Sequence, residues 1–367
     1  MNRELYKHLG DYIREVDVRN RNLSVTTLLG VSISKEFIPS IANTIGTDMS
    51  TYKIVHKGQF AYGPVTSRNG DKISIALLGD EESVIISQAY TVFEIKDANE
   101  LLPEYLMMWF RRPEFDRYAR FNSHGSAREI FDWSEMCDVL LPIPSKERQR
   151  EIVAEYKTIS KRIKNNEHII ATLESTAQTL YRKMFVDGID KENLPEGWRM
   201  GALGDIATLK AGGDKPIDFS KIKTDRYKIP VYANGIENKG IFGYTMRPTV
   251  LEQSITISAR GTIGYCFLRK EPYVPIVRLI VVIPNNKSLI QYLYYYMVNS
   301  NINGSGSVQN QLTVPDIEIK KILLPPEELL TKFYNSAETI DKSIVLREIE
   351  NEKLTELQSL LLAKMGK

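Results

Sequence analysis

The sequence predicts an α+β protein made of two tandem mixed, strand-rich domains, each followed by a long helix, with approximate two-fold internal symmetry. Leu9-Gly10-Asp11 opens a segment that closes on Leu140-Leu141-Pro142, and Leu203-Gly204-Asp205 opens a second that closes on Leu323-Leu324-Pro325. A long segment with the apolar spacing of a helix follows each closing tripeptide. A repeat of this size predicts two similar halves, an arrangement that suits a target with two half-sites.

The first predicted domain covers residues 1–145 and consists mainly of short strands. Residues 74–78, 84–86 and 90–95 are rich in β-branched side chains and are flanked by turn residues, which predicts strands. Residues 103–110, rich in Leu, Tyr and Met, predict a short helix. Its aromatic side chains are a candidate stacking platform, but their helical spacing favours a role in the hydrophobic core.

A central helix is predicted over residues 146–186. Its apolar positions recur at steps of four and three, which places them on one seam that packs against a single partner helix. At 1.5 Å per residue, a helix of about 38 residues is roughly 57 Å long, so it acts as a spacer. The predicted seam residues of this helix are Ile152, Ile159, Ile163, Ile170, Leu173 and Leu180.

The second domain, together with the linker before it, is predicted over residues 187–325. Helix-stopping Gly188 and Pro195 mark the linker. Residues 254–257 and 277–283 predict strands, and residues 289–297 predict a Tyr-rich helix at the place that corresponds to residues 103–110.

A C-terminal helix is predicted over residues 326–367, with Arg347, Asn351 and Gln358 interrupting its seam. Polar seam residues fix the register between helices at a cost in stability. Packing the two long helices as an antiparallel coiled coil satisfies both apolar seams within one chain. The predicted apolar seam residues of the C-terminal helix are Phe333, Ile340, Ile344, Leu354 and Leu361.

Composition and charge limit the classes of function. The two cysteines, Cys137 and Cys266, support neither a disulfide framework nor a cysteine metal site, and no segment approaches the roughly 18 apolar residues of a membrane span, so we expect a cytoplasmic protein. Residues 1–145 carry 16 basic and 20 acidic side chains, whereas residues 194–325 carry 16 and 10. The basic second domain could bind a phosphate backbone, although a solvated surface is the simpler interpretation.

Polar loops that combine glycine with Lys, Asn or Arg occur in both domains. Glycine allows close approach of the backbone to a ligand, and the neighbouring side chains can donate to phosphates and base edges. Each loop alone could be an ordinary turn, but their recurrence at matching places favours binding. The candidate DNA-binding residues are Arg68, Asn69, Lys72, His124, Ser126 and Arg128 in the first domain, and Lys210, Lys215, Asn234, Asn238, Lys239, Arg260, Thr262, Gln309, Asn310 and Gln311 in the second.

Catalytic motifs are scarce. The sequence has no GxxxxGK[ST] phosphate loop, no HExxH and no paired Cys/His spacing, so no metal ligands and no catalytic residues are predicted. Asp80, Glu94 and Lys96 have the D…ExK spacing of Mg²⁺-dependent nucleases, which leaves a stand-alone nuclease as one alternative. The other alternative is a scaffold that binds only proteins, through its helices.

The chain resembles the specificity subunits of type I restriction-modification enzymes over nearly its whole length. The order of domain, helix, domain, helix carries much of the resemblance. The motifs that support it are Trp198 with Leu203–Ile206, Ser258–Gly264, Phe60-Ala61-Tyr62 with Arg68, Ser87–Tyr90, and Leu141–Pro144 with Gln149 and Ile152.

The resemblance implies two target-recognition domains that each read one half of a bipartite double-stranded DNA site, separated by the two helices. It implies methyltransferase partner subunits, two in number, with or without restriction subunits that translocate DNA. S-adenosylmethionine, ATP and Mg²⁺ would then belong to the partners, and this chain would carry no cofactor and no catalytic centre. The two sets of polar loops differ in sequence, so the two half-sites should differ as well.

Overall fold

The computed structural model describes residues 6–40, 46–67, 69–125, 128–300 and 311–366. It divides into two compact units. Unit 1 comprises residues 1–166 with 349–367, and unit 2 comprises residues 167–348. Each unit therefore combines one strand-rich domain with a part of both long helices, whereas the sequence-based division follows chain order alone.

The first strand-rich domain precedes the first long helix, α4, which has 40 residues. The elements of this half of the chain are β1 (Tyr6–His8), β2 (Ile13–Val16), β3 (Leu29–Val31), β4 (Phe37–Pro39), β5 (Lys53–His56), β6 (Phe60–Tyr62), β7 (Ile75–Leu77), β8 (Ser83–Ile86), β9 (Thr91–Ile95), α1 (Pro103–Phe110), α2 (Pro113–Phe121), α3 (Trp133–Cys137), β10 (Leu140–Pro142) and α4 (Lys146–Phe185).

The second strand-rich domain precedes the second long helix, α8, which has 38 residues. Its elements are β11 (Arg199–Ala202), α5 (Leu203–Ile206), β12 (Ala207–Ala211), β13 (Ile229–Tyr232), β14 (Ile241–Thr245), β15 (Ser254–Ile257), β16 (Cys266–Arg269), β17 (Val274–Pro275), β18 (Ile280–Pro284), α6 (Leu289–Asn299), α7 (Val314–Glu318), β19 (Lys321–Leu324) and α8 (Glu327–Lys364).

The two domains share one sheet topology, which confirms the predicted α+β repeat. Each has a four-stranded antiparallel sheet, in the order β2-β9-β6-β7 in unit 1 and β12-β18-β15-β16 in unit 2. When the four strands of each sheet are counted in chain order, the first pairs with the fourth, the fourth with the second, and the second with the third. The two domains therefore have the same strand order although their sequences differ.

The opening tripeptide of each repeat directly follows a strand, and the closing tripeptide lies in or overlaps the strand that pairs with it. β1 pairs antiparallel with β10, and β11 pairs antiparallel with β19. Gly10 lies so close to α3 that a Cβ placed there would be 2.8 Å from the Cβ of Cys137. A side chain at that turn would therefore displace the end of α3, which explains the glycine in the first tripeptide.

The aromatic residues of the short helices α1 and α6 belong to the cores, as their spacing predicts. Tyr105 is 1% exposed and packs in the unit 1 core, which also contains Leu362 of α8. In unit 2, Tyr292 and Phe333 surround Tyr181 of α4, with ring centroids 6.0 and 6.1 Å from the Tyr181 ring. Each long helix thus contributes side chains to the domain core of the unit in which that part of it lies.

Within unit 1, α4 and α8 run antiparallel and are joined by polar contacts in the seam. The Asn166 side chain, 1% exposed, donates to Asn351 Oδ1 and to Glu350 Oε2, both at 2.9 Å. Gln358 donates to Ser160 Oγ at 2.6 Å. Within unit 2, Ala177, Tyr181 and Phe333 bring the other parts of the same helices together. The predicted seam residues are buried or half-buried, namely Ile152, Ile159, Ile163, Ile170, Leu173, Leu180, Phe333, Ile340, Ile344, Leu354 and Leu361.

One predicted strand begins later than expected. The segment from Val277 was predicted as a strand, but β18 starts at Ile280, because Val277 and Arg278 have φ angles of +54° and +59°. These left-handed angles form a turn and cannot continue a strand. Helices α2 and α3 were not predicted.

Both cysteines, Cys137 and Cys266, are free thiols. Burial raises the pKa of the Cys266 thiol to about 12, which keeps it protonated. Among the described residues, none of the helices is both long enough and apolar enough to span a bilayer.

Candidate nucleic-acid interface

Five polar segments of unit 2 are joined by hydrogen bonds into one loop cluster. We define the unit 2 loop cluster as residues 210–216, 233–240, 258–264, 276–279 and 311–312. These segments follow or precede strands of the four-stranded sheet and of the small sheet β14-β13-β17. Most of the candidate residues predicted in the second domain therefore lie together.

Asn234 links three of these segments. Its side-chain oxygen accepts from the backbone N–H of Ala259, and its amide nitrogen donates to the carbonyl of Val277, both at 2.7 Å. The sequence predicted Asn234 as a DNA contact, but both ends of its amide are engaged within the protein. Its evident contribution is to position the neighbouring segments.

Arg260 and Gln311 form an exposed polar pair on this cluster. Arg260 donates to Gln311 Oε1 at 3.0 Å, and the next residue, Leu312, donates its backbone N–H to the carbonyl of Ala259. Gly261 beside them has a φ of +70°. A guanidinium whose partner among the described residues is a neutral amide keeps donors for a base edge or a phosphate.

The left-handed turn at Val277 and Arg278 is held against two glycines. Arg278 donates its backbone N–H to Gly212 O at 3.1 Å, and Val277 donates to Gly213 O at 2.9 Å. A Cβ at Gly212 would lie 2.7 Å from the carbonyl carbon of Pro275, so only glycine fits there. Left-handed backbone at non-glycine residues costs of order 1–3 kcal/mol each and is frequent at functional sites. The turn exposes the Arg278 side chain, which sequence reasoning missed.

A buried arginine supports the turn at residues 237–240. Arg269, 4% exposed, stacks 3.5 Å from the Tyr232 ring centroid and donates to Thr256 Oγ1 and to the carbonyl of Lys239. Burial lowers the pKa of the Arg269 guanidinium from its usual value. The turn contains two more left-handed residues, Asn238 and Lys239, with φ of +48° and +54°.

The remaining predicted DNA-binding residues of unit 2 differ in how available their side chains are to a ligand. Lys239 pairs with Glu348 of α8 at 3.0 Å, which reduces its availability to a phosphate. Asn238 is exposed, and Lys210 is half-buried on β12. The Thr262 hydroxyl is buried and has no hydrogen-bond partner in the described part of the chain. Gln309 and Asn310 lie outside the described residues.

In unit 1 the two predicted loops also meet. Thr66 donates its backbone N–H to Glu129 O, Phe131 donates to Pro64 O, and His124 and Ile130 exchange backbone hydrogen bonds of 2.9 and 3.0 Å. This joins the loop at residues 64–72 to the loop at residues 123–131.

The unit 1 loops expose the side chains of Lys72, His124 and Arg128, whereas Asn69 is half-buried and donates to Val65 O. Arg68 and Ser126 lie outside the described residues.

The nuclease alternative is not supported by the contacts of Glu94 and Lys96. Glu94 accepts from Arg14 Nε and Gln59 Nε2, both at 2.8 Å, and Lys96 donates to Gly10 O. The carboxylate and ammonium are thus used in holding β9 to its neighbours. Within the described ranges, no group of three His, Cys, Asp or Glu side chains is arranged to hold a metal ion.

Known proteins are similar to this chain in sequence. Residues 33–175 and 195–365 match the family described as type I restriction modification DNA specificity domain. A Mycoplasma pneumoniae protein, named as a candidate type I specificity subunit, is 35% identical over 152 residues; the match covers 41% of this chain and 41% of that protein. The specificity subunit of the Haemophilus influenzae type I restriction enzyme HindI is 21% identical, with 85% of this chain and 86% of that protein covered.

A solved structure shows the same fold. The crystal structure of the S subunit of the type I restriction-modification system from M. genitalium superposes with a TM-score of 0.60 and 16% identity, covering 99% of this chain and 96% of that one. At this identity the likeness concerns the fold alone. The two regions that match the family model cover most of both strand-rich domains and most of both long helices, and the chain therefore belongs to the family of type I restriction-modification DNA specificity proteins.

Proposed function

We propose that this chain is the DNA-specificity subunit of a type I restriction-modification system and that it binds a bipartite double-stranded DNA site. The observation that carries the proposal is that each family region contains a domain whose glycine-containing polar loops are hydrogen-bonded together and expose basic or amide side chains. Such loops combine donors for phosphates with donors and acceptors for base edges.

The two domains would read different sequences. Unit 2 offers Arg260 with Gln311, a pair suited to guanine and adenine edges. Unit 1 offers Lys72, His124 and Arg128 on loops of different composition. Because the same sheet topology carries different loops in the two domains, we expect two half-sites that differ in their bases.

The methylation and restriction reactions would be carried out by partner subunits. We expect two methyltransferase subunits that bind S-adenosylmethionine, with or without restriction subunits that use ATP and Mg²⁺, and we expect the complex to act in the cytoplasm. This chain would then supply recognition and positioning without a catalytic centre. The contacts of Glu94 and Lys96 favour this assignment over a stand-alone nuclease. The family relationship favours it over a scaffold that binds only proteins.

Mapping of methylated adenines tests the proposal. DNA from cells that express the methyltransferase subunit with and without this chain is sequenced by a method that detects modified adenine. We expect one bipartite motif, with two defined parts and a fixed gap, only when the chain is present. Methylation that is equal on all sequences, or that does not depend on this chain, would refute the proposal.

A further inference from the structure

Two lysines of unit 2 contact one phenylalanine ring, Phe219, and one of them also contacts a second ring, Phe242. The ammonium of Lys215 lies 4.8 Å and that of Lys221 5.7 Å from the Phe219 ring centroid, and Lys221 also lies 3.8 Å from the Phe242 centroid. The two rings are 5.4 Å apart. Phe219 is fixed in turn by Gly243, where a Cβ would come within 2.4 Å of the ring.

The segment from Asp214 to Lys228 carries five basic and three acidic side chains, so it has a net positive charge. Both lysines are exposed, and neither forms an ion pair within 4.0 Å in the described part of the chain. The Lys221 ammonium also donates to the carbonyl of Phe242 at 3.2 Å. Lys223, Arg226 and Lys228 continue the same exposed segment, also without such an ion pair among described residues. Cation–π contacts contribute about 0.5–1 kcal/mol each at exposed sites, but two ammonium groups on one ring repel each other. An anion bound between them would remove that repulsion.

The position of the pair favours DNA as the source of the anion. Lys215 follows Gly213, which helps to hold the turn at Val277 in the unit 2 loop cluster, by two residues. A phosphate at the lysine pair would therefore lie beside the segment that carries the candidate base contacts. Contacts to phosphates position a protein on the duplex without reading sequence.

We propose that Lys215 and Lys221, held on Phe219 and Phe242, form a phosphate-binding site that holds the DNA backbone independently of base sequence. The proposal rests on the proposed function and deepens it, because it separates the residues that supply affinity from those that supply specificity. The rings restrict the ammonium groups before binding, so less side-chain entropy is lost when a phosphate arrives.

The test compares the salt dependence of DNA binding by the full chain. Fluorescence anisotropy is measured with a duplex that contains the motif identified by the methylation mapping and with a duplex of scrambled sequence. The NaCl concentration is varied between 50 and 300 mM. Each phosphate contact contributes roughly 0.9 to the slope of log K against log salt concentration. For Lys215→Gln with Lys221→Gln we expect the slope to fall by about 2 on both duplexes, with the preference for the motif unchanged.

Two control variants separate the proposal from a general charge effect. Lys321→Gln with Lys332→Gln removes the same charge from exposed positions on β19 and α8 and should leave the slope close to that of the wild type. Lys215→Arg with Lys221→Arg keeps the charge and should keep the slope.

The proposal is overturned if the double glutamine variant binds with the wild-type slope, or if it loses methyltransferase assembly and not DNA affinity, which would identify an acidic protein as the ligand. Absence of sequence preference in the wild type would instead refute the proposed function.

Discussion

At the scale of single residues, the sequence could identify polar loop residues but not what each one does. Asn234 and Arg260 have similar sequence surroundings, each next to glycine in a polar turn. The structure separates them, because the Asn234 amide is bonded to two backbone groups of neighbouring segments, whereas among the described residues the Arg260 guanidinium donates to the Gln311 side chain. Hydrogen bonds between segments far apart in the chain cannot be read from local composition.

Arg260→Ala is expected to weaken recognition of one half-site by ~1–3 kcal/mol, if its guanidinium donates to a base edge. Removing the side chain deletes the donors and leaves the fold intact, because Arg260 is exposed and has one side-chain partner in the part of the chain that the structure describes. The measurement is the affinity of the reconstituted complex for the motif and for single-base variants of it. Preference at one or two base positions should relax.

Arg199→Ala provides the matched control for this substitution. Arg199 is exposed on β11, outside the unit 2 loop cluster, and its loss removes the same charge. We expect at most a small decrease in affinity that is equal for all duplexes. A similar loss of base preference in both variants would show that charge alone, and not a base contact at Arg260, is responsible.

At the scale of elements, the periodicity predicted the long helices well because a seam with steps of four and three is a local property of the chain. The structure adds the partners of the polar seam residues. Asn351 was predicted to fix register, and it accepts from buried Asn166. By contrast, the late start of β18 depends on left-handed backbone at Val277 and Arg278, which bonds to Gly212 and Gly213 stabilise. The β-branched residues from which this strand was predicted do not indicate such a turn.

Asn166→Ala is expected to lower the free energy of unfolding by about 1–3 kcal/mol, because it leaves Asn351 without its donor in a buried seam. Asn166→Leu with Asn351→Leu should recover most of this loss, since both polar partners are replaced by apolar side chains. Urea denaturation of the full chain followed by circular dichroism measures the difference. Asn165→Ala is the control, because Asn165 is the exposed neighbour on the same helix.

If the double leucine variant is as unstable as Asn166→Ala, the loss does not come from leaving Asn351 without its donor. If Asn165→Ala loses as much as Asn166→Ala, the pairing of Asn166 with Asn351 has no specific role in stability. Recovery of stability with loss of a single helix register, seen as a broadened transition, would support the specifying role of polar seam residues.

At the scale of the whole molecule, the sequence repeat predicted the sheets and long helices that the two units have in common. It did not predict the loops, in which the two units differ. The order of the four-stranded sheet is the same in both units, although the strands share little sequence. The small sheets differ, since unit 1 has the pairs β3-β4 and β5-β8 where unit 2 has β14-β13-β17. Lys215 was predicted as a DNA contact, but Lys221, Phe219 and Phe242 were not, because they belong to the part that differs between the two repeats.

Two separate cores imply that the two reading surfaces act independently. Hydrogen bonds of the unit 2 loop cluster join residues of unit 2, and those at residues 64–72 and 123–131 join residues of unit 1. Arg128→Ala should therefore relax recognition in one half of the bipartite motif and Arg260→Ala in the other half. For sites with no shared partners, energies add within about 0.3–0.5 kcal/mol, so the double variant should lose the sum of the two single losses.

Methylation maps of the two single variants and the double variant measure this directly, because each half of the motif is scored at every modified adenine. The wild type and Arg199→Ala are mapped in parallel to define the unrelaxed motif. If either single variant relaxes both halves, or if the double variant departs from additivity by more than about 1 kcal/mol, recognition in the two units is coupled. The helices would then transmit binding from one unit to the other, and the assignment of one half-site to each unit would need revision.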